Sequence, residues 1–248
     1  MVQGLLQQWD AYTEAHHDTW RRLYERQRKT LEGKASPLYL GGLDAMSGSL
    51  TCDTVPKVSA MDAQIQDATG WSLTIVPGLI DLQDFFRLLA SKRFCTSTWV
   101  RHPDQLDYIE EPDMFHDTFG HIPPLMNSDF AAFMHRFGEV GLALVQAGME
   151  AALLGLQRLY WHFVEFGFVR GDGGNPELFG AGIMSSFGET QHAWGLQDCL
   201  TPFDLKAAMD TPFRTDVLQT NYYIVEDVVR LRHELDAWFH SLNLSNDA

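Results

Sequence analysis

Apolar positions recur at three- and four-residue steps in several stretches of this chain, the period of a helix buried along one side. Glu14 to Leu31 carries Trp20, Leu23, Tyr24 and Leu31 on one stripe. Ser128 stands where a helix cap belongs, ahead of Phe130, Phe133, Met134, Phe137, Val140 and Leu144. Asp81 is placed to cap a helix bearing Phe85, Leu88 and Leu89. Val228, Leu231, Leu235, Trp238 and Leu242 mark another. Ala151 to Phe166 is apolar nearly all round, which predicts a central buried helix. Two short runs break the helical period. Trp71 to Val76 alternates as a strand does and stops at Pro77-Gly78, and Tyr222 to Val225 is a second strand candidate. Gly33 to Ser49 is punctuated by Gly, Ser and Pro and reads as a loop-rich connection. With no repeat, low-complexity segment or linker, the pattern predicts a mostly α fold, α+β with minor short strands, in a single domain over residues 1–248.

Composition narrows the class. A chain of 248 residues with 45% hydrophobic residues and seven Trp is long enough for a deep core. No window approaches the roughly 18 uninterrupted apolar residues of a membrane span. The start, Met1 to Gln8, lacks the basic and long apolar regions of a signal peptide, so a cytoplasmic location is expected. Three widely spaced Cys make no disulfide framework. A formal charge of −15 argues against nucleic-acid or anionic-membrane partners, which need basic patches.

The chemistry concentrates in Pro112-Asp113-Met114-Phe115-His116-Asp117-Thr118-Phe119-Gly120-His121. Five residues of α-helix turn through about 500°, so two imidazoles at this spacing diverge on an unbroken helix. A helix that ends at Gly120 lets His121 swing back beside His116, and two neutral imidazoles make half of a metal site. Glu165 is the candidate for the missing carboxylate. It is the only acidic residue between Glu150 and Asp172, and it lies in an aromatic run where a lone carboxylate is expensive to bury. Two His and one Glu form the facial triad of non-haem Fe(II) oxygenases, and the same set serves zinc hydrolases. The zinc-protease helix, however, needs His-Glu-x-x-His; here the spacing is one longer and Asp117 replaces the Glu.

Three motifs stand in order: Glu111-Pro112-Asp113-x-x-His116-Asp117-x-x-Gly120-His121-x-Pro123, Tyr160-Trp161-x-x-Val164-Glu165-Phe166-Gly167, and Gly180-Ala181-Gly182-x-x-Ser185-Ser186-Phe187-Gly188-Glu189. From about Trp20 to about Val229 the chain resembles the catalytic domain of the pterin-dependent aromatic amino acid hydroxylases, most like the bacterial phenylalanine hydroxylases. The resemblance implies Fe(II) held by His116, His121 and Glu165, with a tetrahydrobiopterin or related tetrahydropterin as cofactor and O2 as co-substrate. The reaction it implies is mono-oxygenation of a free aromatic amino acid, L-phenylalanine to L-tyrosine. It assigns Arg101, braced by Asp113, to the substrate carboxylate, since a guanidinium grips a carboxylate as a fork. Trp161 would line the substrate ring, Ser185 would brace the first His, and Tyr160 would stand near the iron as a catalytic residue. Gly78, Ile80 and Phe85 would hold the pterin, with Asp117 near it. The loop Phe213 to Val217, which the resemblance places over the substrate, aligns poorly. That leaves open tryptophan as substrate or another ring position. A zinc metallohydrolase and a non-catalytic binding module are the readings from other classes. The resemblance also implies a monomer with neither an N-terminal regulatory domain nor a separate tetramerisation arm.

Overall fold

The computed structural model describes residues 5–107, 109 and 111–242. Met1–Gly4, which open the signal-peptide reading, and the last residues, on which the absence of an assembly arm turned, lie outside them. Helix α1 (Glu14–Leu31) forms where its apolar stripe predicts and buries Trp20, Leu23 and Leu31. The loop expected over Gly33 to Ser49 is instead largely helix α2 (Pro37–Ala45). Ser36 caps it, its Oγ accepting from the Tyr39 amide at 3.2 Å, and Pro37 fills the first turn. The paired glycines that suggested a loop do different work. A Cβ on Gly42 would sit 1.9 Å from the Pro123 carbonyl oxygen, so the helix docks there only without a side chain. Gly41 faces open space.

Helix α3 (Val58–Thr69) had no sequence expectation. It leads into strand β1 (Ser72–Ile75), helix α4 (Leu82–Ala90) and strand β2 (Arg93–Thr96). The strands pair in parallel from Ser72 opposite Arg93 to Ile75 opposite Thr96, so α4 is the crossover of a β-α-β unit. Asp81 caps α4 as expected, accepting from the Asp84 amide at 2.8 Å. The buried face is Phe86 and Leu89, which leaves Phe85 half-buried on the flank.

After the short helix α5 (Ile122–Leu125), helix α6 (Ser128–Gln146) buries the apolar face expected of it. Its cap is Asn127 rather than Ser128. The Asn127 Oδ1 accepts from the amides of Asp129 and Phe130, both at 3.0 Å, which makes Ser128 the first helical residue. Helix α7 (Glu150–Leu159) is not buried all round: Glu150, Ala151 and Leu154 are exposed. Its early turns are apolar because Ala and Leu favour helix, and a surface tolerates single apolar residues. Beyond α7 lie strands β3 (Phe168–Arg170) and β4 (Pro176–Leu178) and helices α8 (Ala181–Ser185) and α9 (Phe187–Gly195). Strand β5 (Thr201–Pro202), helix α10 (Leu205–Asp210), strand β6 (Tyr223–Val225) and helix α11 (Val228–Ser241) complete the order. The second sheet runs β4-β3-β6-β5, with only the β3–β4 pair antiparallel. The result is mostly helical with few short strands, and one buried cluster runs from Trp20 to Leu235. Among the described residues no helix is long and apolar enough to cross a membrane.

Among the described residues two segments are wound wider than the α period, and both carry motif residues. His116–Gly120 and Tyr160–Glu165 are π-helical. The helix therefore does not break at Gly120 to bring His121 round. It widens, because closing i→i+5 bonds places residues five apart about one turn apart. Phe166 N donates to Trp161 O at 3.0 Å in this manner.

The adjacent glycines of α2 give an internal control. Gly42→Ala should lose roughly 1–3 kcal/mol of stability through overpacking, whereas Gly41→Ala should be neutral or gain up to about 1 kcal/mol from helix propensity. Denaturant unfolding of both variants measures this, and equal losses would show that the backbone contact at Pro123 is not what requires Gly42.

Candidate metal centre and substrate cavity

Asp113 opens the first π segment and organises what surrounds it. Its Oδ1 accepts from the His116 amide at 3.0 Å, and its Oδ2 accepts from the Arg101 amide at 3.0 Å. The Arg101 guanidinium completes a fork, Nε to Oδ2 at 2.9 Å and Nη2 to Oδ1 at 2.7 Å. Both side chains are fully buried, at 1% and 0% exposure, so this is an ion pair with every charge-assisted bond in place. Among the described residues the third guanidinium nitrogen, Nη1, has no protein partner, and Arg101 lines the cavity described below.

The π turn sets His116 and His121 with Nε2 atoms 3.1 Å apart. Glu165, at the end of the second π segment, reaches both: Oε1 lies 3.1 Å from His121 Nε2 and Oε2 lies 3.6 Å from His116 Nε2. The three ligand atoms fall within 4.8 Å of one another. Glycines let the segments close on each other. A Cβ on Gly180 would meet the Glu165 carbonyl oxygen at 2.3 Å, so α8 approaches the Glu165 backbone through a residue with no side chain. Ser185 on α8 settles the tautomer of His116. Its hydroxyl donates to Ala181 O at 2.8 Å, so it accepts from His116 Nδ1 at 2.8 Å. The Nε2 lone pair is then free and points at its two neighbours.

Charge follows geometry. Burial pushes the His116 imidazole down to about 4, only partly opposed by Glu165, so it is neutral near pH 7. Burial would raise Glu165, but His121 and His116 more than offset it and hold the carboxyl below its usual range. Two imidazoles, one of them fixed as neutral, and an ionised carboxylate converging from one side are a donor set that fits a divalent metal with positions left open.

Above this face lies a cavity of about 390 Å³ lined by Arg101, His116, Tyr160, Trp161, Glu165, Ser185 and Phe85 of the residues singled out from sequence. Leu79, Leu82, Phe166, Phe213, Val217, Gln157, Gln219 and Glu189 join them. Tyr160 packs edge-on to Phe85 at 5.5 Å and face-on to His121 at 6.1 Å, and burial lifts its phenol well above the usual range, keeping it protonated. Trp161 stacks on Phe213 at 4.4 Å. Trp161 and Glu165 both stand in the second π segment, and both reach the cavity.

Not every candidate comes to this wall. Gly78 and Ile80 flank the cavity-lining Leu79 without lining the cavity themselves. Asp117 does not line it either; its Oδ2 accepts from the Ser97 amide at 2.7 Å, and burial raises its carboxyl to about 6. Gln157 and Gln219 went unnoticed in the sequence, where a lone Gln has no periodic or motif signal. Glu189 was visible only as the end of the third motif.

A family model described as biopterin-dependent aromatic amino acid hydroxylase matches residues 8–246. The chain belongs to this family. Among its relatives, the phenylalanine-4-hydroxylase of Ralstonia nicotianae is 42% identical over 224 residues, covering 89% of this chain and 69% of the relative. That of Pseudomonas aeruginosa is 40% identical over 220 residues, covering 89% and 81%. The crystal structure of Chromobacterium violaceum phenylalanine hydroxylase with bound iron(III) and oxidised 7,8-dihydrobiopterin is similar at a TM-score of 0.85 and 35% identity. It covers 98% of this chain and 91% of that one. A structure of the same hydroxylase with iron and phenylalanine bound gives a TM-score of 0.84 at 34% identity. The His-His-Glu face of this hydroxylase family member is therefore one this chain builds from two π turns.

Ser185→Ala removes the hydroxyl that fixes His116. Outer-shell losses of this kind typically cost roughly 10- to 100-fold in metal affinity. Competition with a metal chelator measures it, and unchanged affinity would show that Ser185 does not orient the ligand.

Proposed function

We propose that this chain is an Fe(II)- and tetrahydropterin-dependent mono-oxygenase that converts free L-phenylalanine to L-tyrosine. The observation that carries the reading is the convergence of His116, His121 and Glu165 beneath a cavity where, among the described residues, Arg101 keeps one guanidinium nitrogen unpartnered. Family membership and relatives named phenylalanine-4-hydroxylase support it. His116, His121 and Glu165 would hold the iron. Bound there, iron and a reduced pterin would supply the activation of O2 and the two electrons that mono-oxygenation of the ring needs.

The rest is the work of the chain. Arg101 receives the substrate carboxylate with Nη1, while Asp113 keeps the guanidinium plane from rotating. Trp161 and Phe213, stacked on each other, form an aromatic side of the cavity for the ring. Phe85 offers its ring to the pterin at the cavity edge, and the resemblance to the family also assigns Gly78, Ile80 and Asp117 to the pterin. Tyr160 holds a protonated phenol near the metal face. Ser185 keeps His116 Nε2 directed inward. Apolar residues at the cavity wall exclude water, which strengthens every charge contact inside. The charge of −15 supports a small-molecule enzyme without nucleic-acid or membrane partners, and we place it in the cytoplasm as a monomer formed by one catalytic domain.

The test is an assay of the iron-loaded chain with tetrahydropterin, O2 and each of Phe, Tyr and Trp, with products identified by ring position. Tyrosine from phenylalanine at the expense of O2 and pterin is expected. Hydroxylation without pterin, or hydrolytic activity with zinc alone, would overturn the reading. In the same assay Phe85→Ala should raise the pterin KM about tenfold, as expected for a lost stacking contact of roughly 1.4 kcal/mol, while the phenylalanine KM moves little. Equal changes in both would remove Phe85 from the pterin site.

A further inference from the structure

Trp161 stands at the cavity wall with its indole between two rings, Phe213 at 4.4 Å and Phe166 at 4.6 Å. Stacking fixes the spacing of flat rings but lets them slide, since offset arrangements differ little in energy. The sliding is stopped by a hydrogen bond: Trp161 Nε1 donates to Gln219 Oε1 at 2.9 Å. Gln219 is 7% exposed, and its other side-chain atom is also engaged. Its amide nitrogen donates to Arg214 O at 2.9 Å and to Val217 O at 3.0 Å, spending both N–H groups on the loop that carries Phe213. The Gln219 backbone is anchored to α9. Its N–H donates to Glu189 Oε1 at 3.3 Å, and its carbonyl accepts from His192 Nε2 at 2.8 Å. Glu189 in turn accepts from the Tyr222 hydroxyl. One side chain thus ties the indole to the loop, and the loop to a helix.

We infer that Gln219 is the positioning residue that locks Trp161 and Phe213 into one wall, and that the locked wall sets which aromatic ring the cavity admits. The inference rests on the reading of the site as one for a free aromatic amino acid. A wider bicyclic ring is accommodated only if the stacked pair slides. Sliding breaks the indole bond and, through the same amide, loosens the loop. Among the described residues Gln219 hydrogen-bonds to Trp161, Arg214, Val217, Glu189 and His192 and to none of His116, His121 or Glu165, so it acts on the ring slot and not on the metal.

Gln219→Met keeps the length of the side chain and removes all three bonds. Binding of L-phenylalanine and L-tryptophan to the iron-loaded chain, measured by anaerobic calorimetry, reads the effect. The variant should bind phenylalanine about tenfold more weakly, the loss of roughly one buried hydrogen bond. Its preference for phenylalanine over tryptophan should fall by about the same factor, with iron content unchanged. Trp161→Phe removes the donor while leaving the two loop bonds in place. In that background Gln219→Met should change the preference by less than about twofold, because interacting residues are not additive. A preference unchanged by Gln219→Met, or changed equally in both backgrounds, overturns the inference. Should Gln219→Met not fold, Trp161→Phe alone must lower the preference, and an unchanged preference there overturns it too. A wild type that binds neither amino acid overturns the functional reading itself, which separates the two failures.

Discussion

The Asp113 carboxylate is the constraint on which the rest of the site depends. It accepts four hydrogen bonds, from the Arg101 amide, Arg101 Nε, Arg101 Nη2 and the His116 amide, and it does so with no solvent contact. A buried carboxylate is costly unless every lone pair is met, and here all are met by two residues with different tasks. One is the guanidinium that faces the cavity. The other begins the π turn that carries both imidazoles. The distance from the candidate carboxylate clamp to the metal face is therefore set by one rigid group.

The π segments solve a spacing problem that an α-helix cannot. Residues five apart on an α-helix point in different directions, and a π turn restores them to one face. Such turns are intrinsically unfavourable and persist where the surroundings hold them. Gly180 lets α8 press on the Glu165 backbone, and Asp113 holds the first turn at its amide end. Burial then keeps His116 neutral, while Glu165 remains ionised because two imidazoles face it. A chain of net charge −15 can in this way keep the Arg101 guanidinium at the wall of the cavity that its substrate would enter.

Much of this was legible in the sequence. Helices α1, α4, α6 and α11 follow from apolar periodicity, because each buries one face against the same core. The ligand trio could be inferred from one acidic residue in an aromatic run and a His pair at an unusual spacing. What escaped did so for identifiable reasons. Helix α2 was hidden by Gly41 and Gly42, whose local signal is that of a loop; the contact that demands Gly42 comes from Pro123, far along the chain. The Asn127 cap lost to its neighbour Ser128 because both residue types cap helices equally well. The π turns have no residue code of their own, so the expected break at Gly120 was a substitute for a widening that only tertiary packing stabilises. Gln219 reaches Trp161 across 58 positions, and no local pattern announces such a bond.

The central claim, that one carboxylate couples the candidate substrate clamp to the metal ligands, is tested by Asp113→Asn. The substitution keeps the shape and one acceptor oxygen, but its NH2 must meet donors whichever way it turns: Arg101 Nη2 and the His116 amide in the Oδ1 position, or Arg101 Nε and the Arg101 amide in the Oδ2 position. Iron affinity and L-phenylalanine affinity should be measured on the same folded sample, by chelator competition and by anaerobic titration. Both should fall together, each by roughly 10-fold or more, since breaking a buried charged pair typically costs about 3–5 kcal/mol distributed over the groups it held. Full iron affinity beside lost amino-acid binding, or the reverse, would contradict the coupling.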